Sequence, residues 1–535
     1  MKTGPLAAAA VLAAAVFVSH LPLLDAGYVQ DDHVAIEGNP IVAEGAVSAI
    51  VGASYWEGAR GGDRSLYRPV TVASFALEIA AAGGAHPSVS HAINLILHAA
   101  VCWLLYSLAV GCGIEPVAAL LAGLLFATCP SKSEAVANVV GRSELLAALF
   151  TLASVRLALQ AGVRSAAWAA AACVLLACGS KETGLVALPL VVLVALDGRK
   201  PRDAVGLIAP SVLAGTLFVV LRTRALLAFF PGQVVPAVDN PLVLQHGVRY
   251  LATALGLIAR YARIVFFPFG LANDYSGASI PIEDSLVAFR PIIGVAIAGS
   301  LLWTATRGRV AVLFVAITLL PYLLIGNLFV PVGAILAERF LYLPVAGLCL
   351  LAAWAIGKIG RPARVLAIAV VAILGVAMFA RSLDWKDDAT IFAATARNNP
   401  RSPRASLWLG KFDDAIASWQ DSVAAWNDKG VSLAKDGDLR GAERALREAV
   451  RLEPTRPAPQ LNLGLVLHRQ GELDAAEREL RKAVLLDPDN PRGFAELGHV
   501  RYEAGRFAAA AEAYRRAVAL GRTDLLPRLR ELDRT

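Results

Sequence analysis

Through residue 381 the sequence alternates apolar runs with short polar turns. The runs cover residues 5–24, 88–110, 116–129, 145–159, 165–179, 183–196, 204–221, 291–306, 310–328, 340–357 and 365–380. A further run at 70–83 is short and suits an interfacial or re-entrant helix. A helix crosses a bilayer in roughly 20 residues, so the pattern predicts about eleven membrane spans. That count holds only if the stretch 246–268 does not cross. Residues 5–24 follow Lys2 as a signal peptide would, but no clear small-x-small site precedes LPLLDAGY, so an uncleaved helix is expected.

Beyond residue 381 the pattern becomes charged and periodic. Gly430, Gly464 and Gly498 recur every 34 residues. At the same period Gly437, Gly471 and Gly505 coincide, as do Ala442, Ala476 and Ala510, and Ala449, Ala483 and Ala517. Pro454 and Pro488 coincide too, where the third unit has Arg522. Small residues at fixed positions let two helices pack closely and turn, and the pattern resembles the tetratricopeptide repeat. Such arrays present a groove to a peptide or protein; a spacer or dimerisation arm is the plainer alternative. The expected fold is all-α. A polytopic membrane bundle spans 1–381, with a first exoplasmic loop at 25–69. A linker at 382–423 holds a shortened unit at 410–420. Three repeats occupy 424–524, and a tail 525–535.

Composition agrees with this division. The chain is 57% hydrophobic and 17% charged, with mean hydropathy +0.58; soluble proteins carry about 25% charged residues. The net charge of +7 is spread over loops and tail, without a basic run that would suggest nucleic acid. Cys102, Cys112, Cys129, Cys173, Cys178 and Cys349 lie in or beside apolar runs without metal-site spacing, and are expected as small buried residues. Lys and Arg mark cytoplasmic loops at Arg199–Arg202, Arg307–Arg309 and Lys358–Arg364. The loops 25–69, 130–144, 180–182, 270–290 and 327–339 then fall on the exoplasmic side. Everything after residue 381 falls there too.

The stretch YVQDDHVAIEGNP (28–40) places two acids, Asp31 and Asp32, just beyond the first apolar run. A carboxylate where water gives way to low dielectric can be a usable base. A solvated loop acid is the plainer alternative. The first loop also holds Asp25, Glu37, Glu57, Asp63, Arg64 and Arg68. His86, His91 and His98 are spaced by five and seven, which does not set all three on one helix face, so a three-histidine metal site is rejected.

Several stretches resemble the transmembrane and tetratricopeptide-repeat O-mannosyltransferases, a branch of the GT-C glycosyltransferases. They are YVQDDHVAIEGNP, SLYRPVTVASFALE (65–78), HPSVSHAINLILHAA (86–100), PSKSEAVANVVGRSELLAALF (130–150), SKETGLVALP (180–189), NLFVPVGAILAERFLYLP (327–344) and RSLDWKDD (381–388). They run in order across the membrane part, with repeats behind. The chain departs from the pattern in having only about three full repeats, and PSKSEAV where a His-Pro start would be expected.

The resemblance implies a GT-C-type bundle that takes a sugar, mannose by analogy, from a polyprenyl phosphate and passes it to Ser or Thr hydroxyls of an exoplasmic protein held by the repeats. The acceptor hydroxyl needs a base, a role that falls to Asp32 with Asp31 as partner or alternate. The leaving phosphate needs cations more than an acid. The candidates are Arg68, Arg142, Lys181 and Arg339, beside Tyr67, Glu144, Glu182 and Glu338 respectively. Arg339 in AERFLY is the preferred phosphate ligand, since arginine offers bidentate contact. Lys181–Glu182 and Glu338–Arg339 are alternatively structural pairs. Tyr342, His86 and His91 are supporting candidates, with a core role open to the histidines. No cofactor is expected beyond the lipid-linked donor, and a divalent metal is left open. Membrane lipids and an acceptor protein are the expected partners. Alanine and arginine usage points to a bacterium, hence to an inner membrane with the first loop and repeats in the periplasm. A transporter of polyprenyl-linked sugars and a non-catalytic envelope scaffold are the competing readings.

Overall fold

The computed structural model describes residues 4–56, 66–160, 164–227 and 235–532. Glu57, Asp63 and Arg64 of the first loop, and the last residues of the tail, lie outside the described residues. Every regular element among the described residues is a helix.

Each apolar run forms one. Proline opens several, at Pro5, Pro69, Pro87, Pro116 and Pro201. A first-turn residue has no intrahelical N–H partner to lose, and the ring presets φ. Among the described residues four helices are long and apolar enough to cross a membrane: Pro87–Gly111, Pro201–Leu226, Glu338–Ile359 and Arg361–Leu383. A fifth span exists if Pro116–Thr128 and Pro130–Ala137, bent by 57° at their break, are one. Pro130 explains the break, because its ring cannot continue the preceding helix. Six more apolar helices have only 10–17 residues, among them Pro5–Ser19, Phe289–Ala305 and Arg309–Ile325. The expected eleven runs are therefore helical, while by length and composition only four or five helices among the described residues are candidate spans.

The chain divides into two compact units. The first comprises Met1–Ser276 and Ile280–Asn399, the second Gly277–Ser279 and Pro400–Thr535. The segment 382–423, expected as a linker, divides between them. One contiguous core joins the helices of the first unit through Leu12, Leu95, Leu105, Phe126, Leu152, Val174, Leu190, Phe314 and Leu350. The first loop packs Tyr28, Ile36, Val42, Ile50, Tyr55 and Trp56 into a smaller core shared with Phe75 of the helix Pro69–Ala82. Expected only as a long polar loop, it folds into short helical turns at His33–Glu37, Pro40–Glu44 and Val47–Gly52.

The second unit holds the helix pairs Val423–Lys435 with Leu439–Leu452, Pro457–Arg469 with Leu473–Leu486, and Pro491–Glu503 with Phe507–Ala519. The periodic residues explain them. Gly437, Gly471 and Gly505 turn the chain between paired helices at φ of +88°, +82° and +73°, a region that favours glycine. Ala442, Ala476 and Ala510 are fully buried. A Cβ on Gly464 would sit 2.6 Å from the Leu480 side chain. Gly464→Ala should overpack that contact and destabilise the repeats by about 1–3 kcal/mol. Faster hydrogen exchange in Pro457–Arg469 and Leu473–Leu486 of the intact protein would register it.

Candidate active site

Residues distant in sequence meet in one pocket of about 320 Å³ in the first unit. Its wall includes Gln30, Asp31, Tyr55 and Trp56 from the first loop, and Arg68 at the start of Pro69–Ala82. Glu134 and Asn138 come from the polar edge after Pro130. Lys181, Glu182, Arg339 and Phe340 complete it. Of the acids and cations singled out in the sequence, Asp31, Arg68, Lys181, Glu182 and Arg339 are thus brought together.

The two loop acids separate. Asp31 lines the pocket and is half-buried. Asp32 is fully buried and accepts three backbone hydrogen bonds, from Val29 N (3.2 Å), Val139 N (3.2 Å) and Val140 N (2.8 Å). Burial pushes its carboxyl up to about 7, against the downward pull of those N–H groups. Asp32 therefore fastens the first loop to the turn at 139–140, and its sequence neighbour faces the pocket.

The pocket cations are paired, though not with their neighbours in sequence. Arg68 Nη2 lies 2.9 Å from Glu182 Oε2, and its guanidinium stands 5.2 Å from the centre of the Tyr55 ring. Lys181 pairs with Glu144, and Arg339 with Glu134. The Arg339 backbone N–H also donates to Glu134 Oε2 at 2.8 Å. Glu338 points the other way, into the interior, where it accepts from Ala272 N (2.9 Å) and Tyr275 Oη (2.8 Å). Lys181 and Glu182 stand where one helix ends and a 3-10 turn begins, and Glu338 and Arg339 open another such turn. Consecutive side chains at such junctions splay to different sides, so neither neighbouring pair closes on itself.

Arg142 is not among the residues that line the pocket. Its guanidinium is buried against Glu78 (2.5 Å), Asn94 Oδ1 (2.9 Å) and Ser90 O (3.2 Å). The flanking Gly141 and Ser143 do line it. Tyr67 donates to Val51 O at 2.9 Å, and Tyr342 Oη is 2.7 Å from His98 Nδ1. His91 Nε2 lies 3.2 Å from Gly27 O, while His86 is exposed ahead of Pro87–Gly111. These four supporting candidates do not line the pocket. Glu134, Tyr55, Trp56, Asn138 and Phe340 were not singled out in the sequence. The Tyr55–Trp56 doublet in a polar loop was a usable signal. Glu134 had none, because its partner is 205 residues away.

A larger cavity, about 770 Å³, runs along Ala372, Val376 and Ala380 to Arg381 and holds no predicted site residue. All six cysteines are free thiols.

A family model described as Tetratricopeptide repeat matches residues 433–497. Protein O-mannosyl-transferase F38B6.6 of Caenorhabditis elegans is 28% identical over 458 residues, 82% of this chain. Human protein O-mannosyl-transferase TMTC4 is 27% identical over 72% of it, and Drosophila melanogaster Tmtc1 26% over 75%. The chain is thus similar, over most of its length, to proteins named protein O-mannosyl-transferases. It covers 61%, 61% and 59% of the lengths of these three relatives. The crystal structure of MamA aligns with 25% of this chain and 86% of its own at 20% identity, with a TM-score of 0.22, too low to carry an argument.

Asp32 has a consequence for stability. Folded, it keeps its proton up to about pH 7, whereas an unfolded aspartate loses it near pH 3.8. Its contribution is thus complete below pH 3.8 and is lost as pH rises through 7. Asp32→Asn cannot ionise, so between pH 5 and 8 the wild-type thermal midpoint should fall relative to the variant. Parallel profiles would refute this.

Proposed function

We propose that this chain is a membrane glycosyltransferase of GT-C type. It moves a sugar, mannose on the strength of its relatives' names, from a polyprenyl phosphate to a Ser or Thr hydroxyl of an exoplasmic protein. The observation that carries this reading is the convergence of Asp31 with Arg68, Lys181 and Arg339 on one pocket.

In the reaction, the acceptor oxygen forms a bond to the anomeric carbon as the carbon–oxygen bond to the phosphate breaks. Asp31 takes the hydroxyl proton. This assigns the base to the acid that lines the pocket, and gives Asp32 the task of holding the loop. The leaving polyprenyl phosphate gathers negative charge, which positioned cations stabilise. Arg339 is the most open of the three. Its side chain is 40% exposed, against 13% for Arg68 and 8% for Lys181. A planar guanidinium suits two phosphate oxygens at once. The carboxylates of Glu134, Glu144 and Glu182 hold the cations in place before the donor arrives. The reading needs no cofactor.

In this reading the eleven apolar helices cross the membrane, the first loop and the repeats lie on its exoplasmic side, and the repeats bind the acceptor protein. Support for the last point is the repeat match and the protein acceptor implied by the relatives' names.

Asp31→Asn should lower kcat by about 10²–10⁴-fold, the usual contribution of a general base, with donor affinity unchanged. Turnover measured with a polyprenyl-phosphate mannose decides it, and wild-type turnover in the variant removes Asp31 from the chemistry. Arg339→Lys keeps the charge but loses the fork, and should weaken donor binding by ~1.5–3 kcal/mol. Loss of acceptor affinity instead would move Arg339 to the acceptor. Deleting residues 424–535 should raise KM for a protein acceptor while leaving transfer to a short peptide nearly intact. Equal loss with both acceptors would remove the repeats from recognition.

A further inference from the structure

Asp388 does not line the pocket, yet it touches the Asp31 segment twice. Its Oδ1 accepts from Gln30 N at 2.9 Å, and its Oδ2 lies 3.3 Å from His33 Nε2. His33 Nδ1 is in turn 2.7 Å from Glu37 Oε2. Two residues earlier, Lys386 O accepts from Gly27 N at 2.9 Å. Residues 386–388 thus fasten 27–33 at three points, on both sides of Asp31.

Two observations separate this contact from ordinary packing. Asp388 opens the helix Asp388–Asn398, but the cap is made by Asp387. Asp387 Oδ1 accepts from Thr390 N at 2.8 Å, and Thr390 Oγ1 accepts from Asp387 N in return. The capping hydrogen bonds are therefore made by Asp387, and the Asp388 carboxylate turns to the first loop. The second observation is Gln30, which has φ of +52°. A non-glycine residue in that region persists only where its surroundings hold it. The hydrogen bond from its own N–H to Asp388 is such a hold, and the next residue is Asp31.

We infer that Asp388 and His33 are positioning residues that set Asp31 in the pocket. The inference rests on the reading of Asp31 as the base. Asp388 fixes the backbone immediately before the base, His33 ties the following turn to the same carboxylate, and Glu37 holds the far side of the imidazole.

The test uses the purified full chain in detergent or nanodiscs, with a polyprenyl-phosphate mannose and a Ser/Thr peptide. Asp388→Ala should lower kcat by about 10–100-fold, the loss expected when a reacting group is misplaced by about an ångström. Donor KM should stay within about twofold, because the cations are untouched. Asp388→Asn keeps an acceptor oxygen for the Gln30 N–H and should recover most of the rate. His33→Ala should cost less, and the double variant with Asp388→Ala no more than Asp388→Ala alone. Wild-type kcat in Asp388→Ala, or a fall that only follows loss of folded protein, overturns the inference. Hydrogen exchange of residues 28–37 is a readout independent of activity. It should speed up in Asp388→Ala and not in Asp388→Asn. If wild type itself transfers no sugar, the glycosyltransferase reading fails, and with it the role of Asp31. Exchange then still decides whether Asp388 holds the segment, and unchanged exchange in Asp388→Ala refutes the strap outright.

Discussion

A buried carboxyl must find its hydrogen-bond partners where the fold supplies them, and Asp32 takes three from the backbone. The donors, Val29, Val139 and Val140, come from two segments 110 residues apart in the chain. Leaving a buried polar group unmet costs a few kcal/mol, so these bonds dictate how the first loop meets the turn at 139–140. The pocket inherits that geometry. Gln30 and Asp31 precede Asp32, and Val140, Gly141 and Ser143 form the facing wall. The turn tolerates no bulk, since a Cβ on Gly141 would collide with Ala135 O.

The same rule of satisfied charge explains the pocket cations. Arg68, Lys181 and Arg339 each meet a carboxylate from another element, and Arg142 does so behind the wall. Low dielectric makes these pairs interdependent, because removing one partner strands the other as a buried charge. The pocket is consequently assembled as a set. Its charges are in place before any substrate enters, which is the condition under which electrostatic stabilisation acts without reorganisation.

The two units follow opposite logics. In the repeats each helix pair uses the same small residues 34 positions apart, so the packing is local and repetitive. In the first unit the site depends on contacts between segments far apart in sequence, such as Glu134 with Arg339 and Gln30 with Asp388. Recognition in the proposed reaction resides in the modular part, and chemistry in the part that must fold as a whole.

Hydrophobic spacing determined the all-helical character and the positions of the apolar helices, and recurring Gly and Ala determined the repeat period. These depend on spacing within a few residues, which a single sequence carries. The sequence also marked Asp31, Asp32, Arg68, Arg142, Lys181 and Arg339 alike, with Asp32 preferred as the base, because ionisable residues at the ends of apolar runs are costly and stand out. Tertiary structure alone decided which of two adjacent acids faces the pocket. Asp31 and Asp32 are neighbours with identical side chains, and only the N–H groups of Val139 and Val140 separate their roles. It likewise decided that Arg142 turns to Glu78 and that Glu338 and Arg339 part company, because an ion pair forms wherever the fold brings opposite charges together, whatever their separation along the chain.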